Sequence, residues 1–349
     1  MTRTIAEASG LWTPQGSYLN TASYGFPPAP AWDALQSALD DWCHGRASWE
    51  DWSQAVGRSR RAFAELVHVP EDWVVAGANV SSLAGLIAAS LPVGSCVLVP
   101  ETEFTSNLYP WIAQAHRGVR VITVPLGELL HSITPATTVV AVSSVQSNDG
   151  TVTSLDEVAD AAAEVGAFVF VDASQACGWL PTSADRVDFL ACGAYKWLMA
   201  PRGSAFMTIR PEHLEWVVPA AAGWFAAEDP HGSYYGPEFR LAKDARRLDV
   251  SPAWFSWVGT APALETVLEI GVDNIHQHDV GLANRFRAGL GLGPGSSAIV
   301  AAEVDGADEK LRAAGVLAST RAGKMRAAFH LYNTESDVDR ALDALTSSA

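Results

Sequence analysis

Short unbroken runs of β-branched and other apolar residues punctuate the first two-thirds of the chain, at positions 73–75, 95–99, 119–124, 138–143, 167–171 and 204–209. Runs of this kind, apolar throughout rather than alternating, are the pattern of strands buried on both faces of a parallel sheet. Stretches of helical periodicity lie between them at 81–90, 106–116 and 156–164. The alternation predicts an α/β fold with a mostly parallel central sheet between helices. Past about Trp254 the pattern changes to an apolar-periodic segment at 262–270 and a further helix at 274–290. A Gly-rich turn at 289–295, short strands and a terminal helix near 336–345 follow. This end reads as a small α+β domain. The expected partition is a large domain over 16–255 and a small one over 256–349, with residues 1–15 packing nearby. No internal repeat is visible.

Composition narrows the function classes. A chain of 349 residues, 48% of them hydrophobic, has room for one large core and a smaller module. A net charge of -16 argues against a surface for nucleic acid, since nothing general offsets repulsion from phosphates. The opening MTRTIAEASGLW lacks a basic stretch followed by an apolar run, and no window reaches membrane-spanning length, so a soluble cytoplasmic protein without a membrane partner is expected. Cys43, Cys96, Cys177 and Cys192 lie far apart, as buried or incidental thiols do. His276 and His278 are two apart, so on a helix they face different ways. They read as surface histidines, and no metal site is expected. Neither a GxSxG elbow nor an HExxH helix is present.

The chemistry concentrates in two stretches. In AFVFVDASQACGW an apolar strand ends in Asp172, with Gln175 three residues on. An acid there leaves the carboxyl edge of the sheet, where ligands of open α/β sheets bind; capping a helix is its alternative use. In VDFLACGAYKWLMAPRGSAFM, Lys196 lies between an apolar run and a Gly-containing turn into another strand. Alone it reads equally as a surface lysine. Together the two residues are what a pyridoxal-phosphate site requires. The carboxylate keeps the pyridine nitrogen protonated so that the ring accepts electrons from the substrate's α-carbon, and the lysine supplies a reversible imine and then a general base.

On these residues the chain resembles the class V aminotransferases of fold-type I, the group of cysteine desulfurases, kynureninases, isopenicillin-epimerase-like proteins and sulfoxide lyases. The resemblance spans nearly the whole chain. It implies pyridoxal 5'-phosphate as cofactor on Lys196, with Asp172 at the ring nitrogen and Gln175 donating to the phenolic oxygen. Asn79, Val80 and Ser81 match the phosphate-binding turn, where free amides at a helix start form an anion site, although Ser81 suits an ordinary cap as well. Phe104 stands where desulfurases carry a stacking histidine; a flat apolar ring preserves the stacking and loses the acid or base, while a core role is its alternative. Asn148 matches an asparagine near cofactor and carboxylate, or is a turn residue. Tyr195 corresponds to a phosphate contact, and Trp224 to one reaching across a dimer interface. Arg326 matches the arginine holding the substrate's α-carboxylate, for which a planar guanidinium fork is suited. Arg321 is its neighbour, or a solvated surface residue. Asn20 and Ser23 lie in a strip matching the one that closes over substrate, and a Gly/Pro-rich turn explains much of that strip.

Two departures shape the expected reaction. The stretch GVLASTRAGKMR lacks the mobile-loop cysteine that desulfurases of this group use to receive sulfur, and the Gly-Thr-Pro phosphate element is replaced by RLDVSPAW, with Ser251 its nearest equivalent. The resemblance therefore implies a homodimeric enzyme acting on an α-amino acid, with carbon–sulfur β-elimination of a cysteine-derived substrate favoured. Transamination, kynureninase-like hydrolysis and a non-catalytic descendant are the alternatives.

Overall fold

The structure, a computed structural model, describes residues 3–346; the outermost positions of the two expected domains, 1–2 and 347–349, lie outside the described residues. The chain opens with α1 (Ile5–Ala8), capped by Thr4 and Glu7 reciprocally, and β1 (Ser17–Tyr18). Helices α2 (Ala29–Cys43) and α3 (Trp49–Leu66) follow; the sequence reading named neither. Then come β2 (Val74–Gly77), α4 (Val80–Ser90), β3 (Cys96–Pro100), α5 (Tyr109–Ile112), β4 (Arg120–Val124), α6 (Leu129–Ser132) and β5 (Val139–Ser143). The remainder of the main sheet is built from α7 (Leu155–Val165), β6 (Phe168–Asp172), β7 (Phe189–Gly193) and β8 (Ala205–Ile209).

These strands make one seven-stranded sheet in the order β2-β8-β7-β6-β5-β3-β4. Only β8 runs against its neighbours. Strands β3, β5, β7 and β8 are buried along their whole length, which accounts for their unbroken apolar sequence. Edge strand β4 is largely exposed. The six expected strands are present, and β7 joins them; its Gly, Ala and Cys content gave a weak strand signal. The helix expected over 106–116 does not form as one element. Pro110 has no N–H and crowds the carbonyl four residues back, so only a single turn, α5, starts around it, flanked by 3-10 turns.

The carboxy-terminal part contains α8 (Trp254–Ile270), α9 (Val272–Gly289), β9 (Ile299–Ala302), α10 (Ala307–Ala313), β10 (Val316–Leu317), β11 (Ser319–Arg321), β12 (Lys324–Ala328) and α11 (Glu335–Thr346). Helix α8 begins a full two turns before Pro262, which it carries in its interior. A three-stranded antiparallel sheet, β11-β12-β9, packs with α9 and α11 around Phe286, Phe329 and Val338. The amino-terminal strip joins this part: β1 pairs with β10 and Asn20 bridges to Ala328, while α8 packs on α2 and α3. No helix is long and apolar enough to cross a membrane among the described residues.

Because β5, β6 and β7 run parallel, the ends of all three lie at one sheet edge, and the loops that follow them converge there. The strip 20–25 and β12 reach the same loops from the other side, through hydrogen bonds to Tyr195, Gln175 and Ser147.

Candidate active site

Of the chain's lysines, Lys196, Lys243, Lys310 and Lys324, only Lys196 is buried. It sits three residues past β7 in a tight turn where Met199 N–H donates to Lys196 O at 3.1 Å and Met199 takes a left-handed φ of 55°. The strip from the amino terminus closes on this turn. Gly25 N–H donates to Tyr195 O at 3.0 Å, and a Cβ on Gly25 would lie 1.9 Å from Lys196 O, so only glycine fits. The Lys196 ammonium has no hydrogen bond or salt bridge among the described residues. Its near neighbours are the rings of Phe104 at 5.5 Å and Tyr195 at 5.8 Å. Burial lowers its pKa to about 8, a shift opposed by the charge of Asp172 and reinforced by Arg326.

Asp172, the last residue of β6, is buried, and its Oδ1 accepts from Ser174 N–H at 2.9 Å. Ser174 Oγ in turn accepts from Gly193 N–H at 2.8 Å, tying the turn after β6 to the end of β7 just ahead of the lysine. No helix directly follows β6 among the described residues, so Asp172 caps none; its Oδ1 instead closes the turn that starts there. Gln175 is fully engaged within the chain: Nε2 donates to Ala22 O at 2.9 Å and Ser147 Oγ at 3.1 Å, and Oε1 accepts from Trp197 Nε1 at 2.8 Å.

The turn after β2 is closed by Asn79, whose Oδ1 accepts from Ser82 N–H and Ser81 Oγ at 2.9 and 2.8 Å, leaving Val80 and Ser81 in the opening turn of α4. Phe104 is half exposed and its N–H is held at 3.0 Å by Glu103 Oε1. Glu103 was missed in the sequence. It is buried, accepts from Ser143 N–H at 2.7 Å and from the Ser143 hydroxyl, and so pins the Phe104 loop to the end of β5, beside Asp172 in register. Burial pushes its carboxyl up, Ser143 pulls it down, and the charge of Asp172 adds to the rise. An acid next to an aromatic at a strand's carboxyl edge was the available signal.

Arg326, on β12, is buried and its fork is filled by serines: Nε donates to Ser319 Oγ at 3.2 Å, one terminal nitrogen to Ser23 Oγ at 2.8 Å, the other to Ser147 Oγ at 3.2 Å and to Ser147 O. Burial and then Arg321 pull its pKa down to about 10. Arg321 is exposed and donates to the same Ser23 hydroxyl at 3.2 Å. It ends β11, and the two-residue turn of Ala322 and Gly323, both at left-handed φ, returns the chain to β12. Asn20 Oδ1, Asn148 Oδ1 and both amide atoms of Asn107 are buried without a partner among the described residues.

Two further expected contacts belong to a partner subunit's site. Trp224 packs on Trp49 at 5.3 Å and on Tyr234 at 5.4 Å; Ser251 is exposed. The two histidines expected at the surface are half-buried on α9, where His276 stacks on Trp179 at 5.8 Å; the pattern of the helix alone did not reveal that aromatic neighbour. Cys96, Cys177 and Cys192 are buried and Cys43 is exposed. Among the described residues no three His, Cys, Asp or Glu side chains group as metal ligands do.

Comparisons with known proteins bear on the family and the fold. A family model described as aminotransferase class-V matches residues 47–306. An uncharacterized aminotransferase, YcbU, of Bacillus subtilis (strain 168) is 28% identical over 339 residues, covering 90% of both chains. Isopenicillin N epimerase of Streptomyces clavuligerus is 27% identical, covering 83% of this chain and 84% of its own. The solved structure of the cystine C-S lyase C-DES with its product cysteine persulfide superposes with a TM-score of 0.87 at 21% identity, over 97% of this chain and 98% of that one; at that identity the match speaks for the fold.

Proposed function

The chain belongs to the class-V aminotransferase family, whose cofactor is pyridoxal 5'-phosphate, and from that premise we propose that it cleaves a carbon–sulfur bond in a cysteine-derived α-amino acid. The observation that carries the reading is Lys196: a solitary buried lysine with an unpaired ammonium, within the field of Asp172 and beside an aromatic face. The site residues fit the cofactor. Unpartnered buried polar atoms on Asn20 and Asn148, in the strip and the loop that both meet Gln175, are ones that another molecule would complete, and the opening turn of α4 suits a phosphate.

When bound, the cofactor supplies an electron-accepting ring for the electron pair left on the substrate's α-carbon. Asp172, steadied by Ser174, would hold the proton at the ring nitrogen. Phe104, fixed by Glu103, gives the ring a flat apolar face. Arg326 exchanges its neutral serine partners for the substrate carboxylate, a stronger acceptor for a guanidinium fork. Lys196 moves the α-proton. With a pKa of about 8, roughly a tenth of it is neutral at pH 7, against a negligible share at its ordinary value. In the elimination Lys196 Nζ would take the α-proton, and the electron pair left on the α-carbon would become the Cα–Cβ double bond as the carbon–sulfur bond breaks with its pair going to sulfur. The proton on Nζ would pass to the leaving sulfur, and water would hydrolyse the released enamine to pyruvate and ammonia.

The direct release of sulfur is supported by the hairpin β11–β12. It turns in two residues and holds no thiol, and the exposed Cys43 lies at the end of α2. Transamination is the second reading, favoured by the aminotransferase relative. The enzyme is a homodimer of the cytoplasm in both readings. Incubation with cystine, cysteine conjugates and ordinary amino acids separates them: pyruvate, ammonia and a released sulfur species are expected, whereas pyridoxamine phosphate accumulating with a keto acid contradicts elimination.

A further inference from the structure

A second buried titratable pair stands behind the lysine turn. His330, two residues past β12, and Asp279 on α9 are both wholly inaccessible to solvent. The imidazole Nδ1 lies 2.7 Å from Asp279 Oδ2, and Nε2 lies 2.9 Å from the carbonyl of Trp197, the residue next to Lys196. A carbonyl has no proton to give. Nε2 therefore carries a hydrogen and donates it to Trp197 whichever way the pair's other proton is placed, on Nδ1 or on the carboxyl.

The surroundings make this contact specific. Trp197 is held at both ends, its indole by Gln175 and its carbonyl by His330. Gly178 presses on the same carbonyl, where a Cβ would come within 2.6 Å. His330 is itself fixed, its N–H donating to Asn333 Oδ1 at 2.9 Å, and it lies on the same chain run as Arg326. The groups acting on Asp279 are His330, His278 and His276, with Tyr332 standing edge-on to the His330 ring at 5.7 Å. Burial raises the Asp279 carboxyl and His330 lowers it.

We propose that the Asp279–His330 pair is a strut that sets the position of Lys196 relative to Arg326, making both its members positioning residues for the reaction. The inference rests on the reading of Lys196 as the cofactor lysine. Without the Nε2 hydrogen the buried Trp197 carbonyl loses its donor, and the lysine turn relaxes to find another. Asp279→Asn preserves the strut, because the amide donates to Nδ1 and leaves the hydrogen on Nε2.

The test uses two readouts that need no cofactor and one that does. In cofactor-free protein the pH dependence of Lys196 acylation, followed by mass spectrometry, is expected to shift by about half a unit or more in His330→Phe, to return towards wild type in His330→Gln, and to stay put in Asp279→Asn. In the loaded enzyme His330→Phe is expected to lower kcat roughly 10- to 100-fold with KM little changed, the signature of a misplaced reacting group. A folded His330→Phe with wild-type labelling and kcat overturns the proposal. Should that variant not fold, nitrogen NMR of histidine-labelled wild type decides: a slowly exchanging Nε2–H on His330 is expected, and an unprotonated Nε2 overturns the strut. Wild type that forms no visible band with pyridoxal phosphate defeats the cofactor reading instead, a result the labelling and NMR measurements do not depend on.

Discussion

The loop after β7 and the hairpin β11–β12 each bury one cation, and they treat it in opposite ways. Lys196 has no hydrogen-bond partner for its ammonium among the described residues and its pKa falls to about 8, whereas every nitrogen of the Arg326 fork is satisfied by a serine or a main-chain oxygen. The lysine is held in a state it readily leaves, as a nucleophile and base must be. The arginine is held in place by neutral acceptors, each weaker for a guanidinium than a carboxylate would be. Reactivity comes from an unmet need, binding from a provisional one.

Removing each group separates the two roles. Lys196→Ala is expected to lower kcat by at least about 10³-fold, with the visible band lost, since no other lysine is buried at the site. Arg326→Gln is expected to reduce kcat/KM by roughly 30- to 10³-fold, mainly through KM, the cost of deleting a charged partner of a carboxylate; Arg326→Lys recovers only part because it lacks the fork. The unmet need of Lys196 is also a stability statement. Its folded pKa lies below the ordinary 10.5, so the unfolded chain binds the extra proton between about pH 8 and 10.5 and stability of the cofactor-free protein rises across that window. Below about pH 8 the full penalty is present, on the order of 3 kcal/mol, and Lys196→Met is expected to raise the melting temperature there and flatten the pH dependence. The smallest effect belongs to the platform: Phe104→Ala is expected to weaken cofactor binding about 3- to 10-fold in an equilibrium titration.

The comparison also explains what the sequence disclosed. Asp172 ends an apolar run that strand patterning places at the sheet edge, whereas β7, the strand ahead of Lys196, gave a weak pattern, and the lysine stood out by its place before a Gly-containing turn and by family resemblance. Arg326 lies in a short exposed-to-buried hairpin without a strong pattern, and only family resemblance pointed to it. The residues that condition these groups were out of reach. Glu103 finds its partner Ser143 forty residues on, His330 reaches Asp279 and Trp197 across 51 and 133 positions, and no local periodicity encodes such pairings. Conversely, Pro110 was visible and its effect on the helix expected at 106–116 followed from elementary sterics. The engagement of Gln175 with Ala22, Ser147 and Trp197 shows a motif residue serving the architecture of the loops around Lys196.

Borohydride reduction of the protein loaded with pyridoxal phosphate, followed by peptide mapping, tests the central claim most directly. The account expects the phosphopyridoxyl mass on the peptide carrying Lys196 and on no other. A protein that stays colourless and unmodified, or a label carried by Lys243, Lys310 or Lys324 instead, contradicts it.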